Sequence, residues 1–214
     1  MTHPETRPVA LSPRSRTAAG LTAAVLALAG AASLAFIPLD PGGASNPDGA
    51  YCAGHAATIV GSGAADELIG TMGDDVIVGF GGDDVIDGRG GHDIVCAGPG
   101  DDAVFGGTGH DRLFGEGGSD TIDGGEGHDF LRGGGGRDDL RGGNGDDDLA
   151  GGQDDDRLQG GEGTDLLAAH EGDDALIGGE GNDTLWGGPG DDALEGGPGA
   201  DALAGDAGAD VGRP

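Results

Sequence analysis

From Gly61 to Arg213 the chain repeats a nine-residue unit, G-G-x-G-x-Asp-x-Φ-x with Φ a large aliphatic residue, without one insertion or deletion. Seventeen copies follow head to tail. All of them place Asp at position six: Asp66, Asp75, Asp84, Asp93, Asp102, Asp111, Asp120, Asp129, Asp138, Asp147, Asp156, Asp165, Asp174, Asp183, Asp192, Asp201 and Asp210. Sixteen place Leu, Ile or Val at position eight, from Leu68 to Leu203, and only Gly212 departs. A fixed period of this length means one small unit stacked on itself, because no single copy can bury its apolar side chain alone.

Gly stands at positions one and four in fifteen copies each and at position two in ten. That density suits a chain that visits φ > 0 repeatedly and lets backbones approach closely, so positions one to six are expected to form a turn. Positions seven to nine, as in Val76-Ile77-Val78, are expected to form a three-residue strand whose middle side chain points one way and whose flanks point the other. Two units make one coil of eighteen residues. Odd copies then build one short parallel sheet and even copies another, with the aliphatic rows meeting between them. The expected fold is therefore all-β, a right-handed parallel β-roll.

Stacking brings the aspartates together. Copies n and n+2 lie about 4.8 Å apart, the distance between paired strands. Neighbouring carboxylates at that spacing repel by about 1 kcal/mol in water and about 3.5 kcal/mol at an effective dielectric of 20. One aliphatic residue in nine cannot offset an ordering cost of roughly 1–2 kcal/mol per residue. The metal-free chain is therefore expected to stay unfolded. A hard dication removes both objections. Ca2+ takes six to eight oxygens from carboxylates and backbone carbonyls, and no Cys or His recurs at the ladder positions to favour zinc. Seventeen copies give at most fifteen stacked pairs, 17 − 2, and fifteen dications would match the formal net charge of −30.

The pattern resembles the RTX family of glycine- and aspartate-rich nonapeptides that build calcium-binding β-rolls. Gly106-Gly107-Thr108-Gly109-His110-Asp111-Arg112-Leu113-Phe114 and Gly178-Gly179-Glu180-Gly181-Asn182-Asp183-Thr184-Leu185-Trp186 are close copies. The resemblance implies that the position-six Asp and the turn carbonyls of two stacked repeats ligate each Ca2+. Copies eleven and thirteen are among those that depart from the pattern. Asp154 replaces the fourth glycine in copy eleven, and Ala169-His170 replaces the opening pair in copy thirteen.

Composition narrows the function. With 52 Gly and 3% aromatic residues, most of the chain cannot hold a conventional globular core. The acid excess argues against nucleic acid and against anionic membrane surfaces. Residues 1–60 differ in kind. Arg7, Arg14 and Arg16 precede an uncharged Ala- and Leu-rich stretch, Thr17 to Leu39. Residues 1–35 are read as a secretory signal peptide cut after Ala31 or Ala35, with no membrane insertion after cleavage. An uncleaved signal anchor is the alternative. Residues 36–51 are expected to be a linker, and 52–60 a degenerate capping repeat with Ala57 where Asp belongs. Export would carry the chain from scarce calcium to millimolar calcium.

Cys52 and Cys96 form an even pair in an exported chain, which favours a disulfide over two free thiols. If residues 52–60 merely continued the coil, the two would stand about 10 Å apart by strand spacing, so a bridge requires the cap to fold back over the even sheet. The outward positions of that sheet include Val76, Val78, Ile94, Cys96, Phe114, Phe130, Leu166 and Trp186, whereas those of the odd sheet include Glu67, Asp87, Asp123, Asp139, Arg141, Arg157, Gln159 and Glu195, so the even sheet is the more apolar outside. Cover by residues 40–58 explains the apolar face near the cap; a partner surface is the other explanation. His92, His110 and His128 share position five and should stack, either as solvated turn residues or as a transition-metal or pH-sensitive column. No H-E-x-x-H, G-x-S-x-G or Walker motif occurs, Lys is missing altogether, and no Thr or Asn column suggests ice binding. The expected function is a secreted, non-enzymatic calcium-binding structural module. The alternative is an adhesion module that holds a cell-surface or polysaccharide partner on its apolar face.

Overall fold

The structure, a computed structural model, describes residues 50–213. The expected signal peptide and all of the linker before Ala50 lie outside the described residues. Successive copies alternate between two parallel nine-stranded sheets. One sheet takes the odd copies, from Glu67–Ile69 to Val211–Arg213. The other begins with Ile59–Val60 and takes the even copies, from Val76–Val78 to Ala202–Ala207. Each copy pairs with the copies eighteen residues away: Ile122 faces Val104 and Leu140, and Leu131 faces Leu113 and Leu149. No strand pairs with its sequence neighbour within the roll, so the fold is a stack of flat coils, each supported from above and below.

The core is the row of position-eight residues. From Ile77 to Leu185 every one of them is at most 1% exposed, and Ala97 and Ala169 join them from position one. Full burial of such a side chain contributes about 1.5–3 kcal/mol, once per nine residues. This core sets the register but is too thin to hold the coils by itself.

The strands are longer than the three residues expected from the aliphatic pattern. From Ile94–Pro99 to Thr184–Pro189 each runs six residues and enters the glycine-rich segment, as in Ala103–Thr108 and Phe130–Gly135. Position two adopts a left-handed φ, 107° at Gly107 and 105° at Gly125, yet pairing resumes there, Gly125 opposite Gly143. The chain kinks without leaving the sheet, so only positions four to six form the turn proper. The kink is imposed by the stack and not by glycine alone, since Phe80, Arg89, Glu116 and His170 take φ of 72–82° at the same position.

At the N-terminal end Tyr51–Cys52 pairs antiparallel with His55–Ala56. This hairpin folds over the outside of the even sheet, against Val76–Val78 and Ile94–Pro99. Cys52, 1% exposed, is bonded to Cys96 with a Cα separation of 5.7 Å. The bridge spans 44 residues, for which chain entropy alone gives about 4 kcal/mol. Beneath the hairpin Val78 is buried. Residues 52–56 thus leave the coil, and only Ile59–Val60 continues it.

In most copies glycine at position four permits the close approach of stacked turns, although Asp154 takes a left-handed φ of 70° there. Gly127 has φ 143°, and a Cβ there would overlap the carbonyl oxygen of Gly109. Gly117, at position three, has open space on its Cβ side. Gly127→Ala is therefore expected to destabilise the folded roll by about 2 kcal/mol or more, and Gly117→Ala by no more than about 0.5 kcal/mol. Denaturant unfolding of the two variants checks the difference.

Candidate metal centre

The position-six aspartates form two uninterrupted ladders. In each rung the backbone N–H of one Asp donates to the Oδ1 of the Asp eighteen residues on. Fifteen rungs run from Asp66→Asp84 to Asp192→Asp210, with lengths of 2.7–3.1 Å. A carboxylate is thus held in line by its neighbour's amide, which fixes its second oxygen in a constant direction. Copies eleven and thirteen, which depart from the repeat, keep their rungs: Asp138→Asp156 is 2.9 Å in copy eleven and Asp156→Asp174 is 2.7 Å in copy thirteen.

That second oxygen has no partner. The Oδ2 atoms of Asp84, Asp93, Asp102, Asp111, Asp120, Asp129, Asp138, Asp147, Asp156, Asp165, Asp174, Asp183 and Asp192 are buried and unbonded, in side chains no more than 3% exposed. An unpaired buried oxygen costs about 1–3 kcal/mol, and more when it is charged. A Cβ built on Gly106 would lie 2.5 Å from Asp111 Oδ2 and 2.7 Å from the Gly124 carbonyl oxygen. On Gly124 it would lie 2.5 Å from Asp129 Oδ2 and 2.6 Å from the Gly142 oxygen. A carboxylate oxygen of one copy and a carbonyl oxygen of the copy stacked on it therefore converge beside position one, in a space that glycine leaves open. Ala97 and Ala169 put a methyl group at the corresponding point of copies five and thirteen.

This donor set is all oxygen, partly anionic and repeated, and it fits a hard cation of the Ca2+ type. Among the described residues no three His, Cys, Asp or Glu side chains gather to hold a metal ion. The shell would therefore rest on one or two carboxylates completed by backbone carbonyls, which excludes the nitrogen and sulfur sites that zinc prefers.

Asp66, Asp75 and Asp201 sit differently from the other predicted ligands. Asp66 and Asp201 are half-buried at the ends of the stack. The Oδ2 of Asp66 accepts from the N–H (2.6 Å) and hydroxyl (2.8 Å) of Ser62, and that of Asp75 accepts from the N–H (2.7 Å) and hydroxyl (2.9 Å) of Thr71. Asp75 Oδ1 accepts from the Thr58 hydroxyl at 3.1 Å.

A second ladder occupies position five and was not foreseen beyond its histidines. Here the side chain of one copy accepts from the N–H of the next coil, the reverse sense of the first ladder: Asp83 from Asp101, Asp101 from Ser119, Asp146 from Thr164, Asn182 from Ala200. The signal was the acceptor-rich composition of that position. His92, His110 and His128 stack with ring centroids 5.0 Å apart. The Nδ1 of His92, His110 and His128 accepts from the N–H of His110, His128 and Asp146, at 2.7–2.8 Å. With Nδ1 accepting, a neutral His92 or His110 ring carries its proton on Nε2, and the column is a set of stacked turn residues tied to backbone amides.

Burial shifts the ladder carboxyls upward. Asp120, Asp147 and Asp156 are pushed to about 7. Asp93, Asp129, Asp138, Asp165 and Asp174 are pushed to about 6. Desolvation is the main cause, opposed by the amide bond of the rung and, in all of these except Asp138, added to by stacked carboxylates; for Asp138 the added repulsion comes from Asp154. Asp75 moves the other way, because the Thr71 amide and hydroxyl and the Thr58 hydroxyl outweigh its desolvation. A carboxyl raised in the fold binds more protons folded than unfolded, so its contribution to stability is present below the unfolded value near 3.9 and is lost as pH rises through 6–7. Without divalent ions the chain should therefore gain β-structure as pH falls from 8 to 5, read by circular dichroism. An unchanged spectrum over that range would contradict the buried ladder.

The family model described as the RTX calcium-binding nonapeptide repeat, four copies to a match, matches residues 60–95, 97–131, 123–158, 150–185 and 177–211. No curated protein matches the chain.

Proposed function

The chain belongs to the family of RTX calcium-binding nonapeptide repeats, and from that premise we propose that it is a secreted, non-enzymatic protein that folds into its roll by taking up an array of Ca2+ ions. The observation that carries this reading is the run of thirteen buried, partnerless Oδ2 atoms, with backbone carbonyl oxygens of the stacked copy close by. Calcium would supply the positive charge that lets neighbouring carboxylates ionise in a dry interior. The rung amides hold each Oδ1, the position-one glycines keep the space beside Oδ2 open, and the position-eight aliphatics exclude water from one side. Family membership makes the repeats a calcium-binding, non-catalytic module, and a structural or surface role is the function proposed for it. Secretion is supported by the N-terminal segment and by the disulfide, which suits an oxidising compartment.

A second reading, adhesion to a cell-surface or polysaccharide partner, is favoured by the even face beyond the hairpin. There Phe114 and Phe130 pack with centroids 5.7 Å apart, and the Arg112 guanidinium lies over both rings at 5.5 and 6.0 Å.

Calcium titration of the chelated protein at pH 7.5 should convert a coil spectrum to a β-sheet spectrum in one cooperative step. Mg2+ should not replace Ca2+, because it requires near-octahedral geometry and keeps its waters. Binding of no calcium at millimolar concentration, or an equally compact chain in chelator, would overturn the proposal.

A further inference from the structure

The two first copies of the roll are built with a different chemistry from the rest. In copies three to fifteen the ladder Asp leaves its Oδ2 without a partner. In copies one and two the same atom accepts two hydrogen bonds, from the N–H and the hydroxyl of the position-two residue, Ser62 or Thr71. The turn itself has changed to allow this. Position two is left-handed at Phe80, Arg89, Gly98, Gly107, Glu116 and onward, whereas Ser62 and Thr71 are not. A left-handed φ is costly for a β-branched residue such as Thr71, and each hydroxyl, its one proton given to the aspartate, accepts from the amide two residues on, Thr71 from Gly73 at 3.1 Å and Ser62 from Ala64 at 3.3 Å. The carboxylate follows its new donors. A Cβ on Gly61 or Gly70 would stand 3.0 and 3.2 Å from the Oδ2 of Asp66 and Asp75, against 2.5 Å at Gly88, Gly106 and Gly124.

From this contrast we infer that Ser62 and Thr71 stand in for the cation in the first two turns, so that the calcium array starts at Asp84 and the N-terminal end of the roll is metal-independent. The inference rests on the calcium-binding reading and deepens it. A buried carboxylate oxygen needs either donors or a cation. An N–H and an O–H together satisfy the two directions that a dication would otherwise fill, and a cation entering there must displace both. Asp75 has no oxygen left at all, since Thr58 bonds its Oδ1. The neighbouring structure is also of a kind that needs no ion: the hairpin, the Cys52–Cys96 bridge and the bond from the Val76 amide to the Thr58 hydroxyl secure the same end. The first coils therefore present a preformed edge on which the calcium-dependent coils stack.

The test counts bound calcium by equilibrium dialysis and elemental analysis at saturating calcium, with circular dichroism as the control for folding. Four proteins are compared: wild type, Asp66→Asn/Asp75→Asn, Asp120→Asn/Asp129→Asn and Ser62→Gly/Thr71→Gly. The expected results are an unchanged count for the first pair of substitutions, a loss of two or more ions for the second, and a gain of one or two ions for the glycine variant. The decision rests on the glycine variant, which restores the residue that ten copies carry at position two and so keeps the fold. An unchanged count there, or a loss of two ions from Asp66→Asn/Asp75→Asn in the folded state, overturns the inference while leaving the calcium-binding reading intact. No calcium bound by the wild type would instead sink that reading itself.

Discussion

Everything in this roll depends on how a column of carboxylates can be stacked at strand spacing inside a protein. Each Asp hands one oxygen to the amide of the coil before it and turns the other toward a glycine and a carbonyl. The first interaction aligns the column; the second leaves it electrostatically incomplete. Left bare and ionised, neighbours repel and each oxygen lacks a partner. The upward shift of the buried carboxyls is the same imbalance seen from the proton's side, since a proton is the smallest charge able to relieve it. A dication relieves it more fully and does so at a pH where protons are scarce.

The glycines follow from that arrangement. At position one a side chain would intrude on the space where carboxylate and carbonyl oxygens meet, and at position four it would overlap the turn stacked below. The aliphatic row sets the register and keeps water out, and its single side chain per copy leaves the stacking energy to the turns. Two side-chain ladders of opposite sense, acidic at position six and mixed at position five, bind every turn to the turns on either side of it. The result is a fold whose cohesion lies at its edges more than at its centre.

The ends and faces break the monotony. On the even side the hairpin shields Val78, and farther along Arg112, Phe114 and Phe130 form their own cluster. At the N-terminal end hydroxyls, a covalent bridge and a short antiparallel pair replace the repeating electrostatics, so the stack begins on carboxylates that are already held by hydrogen-bond donors.

Much of this was legible in the order of residues. An unbroken period of nine, with Asp and an aliphatic residue at constant positions, determines a solenoid, the alternation of copies between two sheets and the columns of aspartates and histidines, because periodicity in the chain becomes translation in space. The pairing of Cys52 with Cys96 was expected from an even pair of cysteines in an exported chain, and it required the cap to fold back. Tertiary structure alone decided the rest. The left-handed kink that lengthens the strands, taken even by Phe80 and His170, comes from the stacked neighbour and not from local preference. The tautomer of the histidine column is set by amides eighteen residues away. Which aspartates keep a free oxygen depends on one hydroxyl four residues upstream, and the repeat pattern treats Asp66 and Asp75 as equal to Asp120. Hydrogen-bond direction is a property of three-dimensional placement, and a one-dimensional repeat does not carry it.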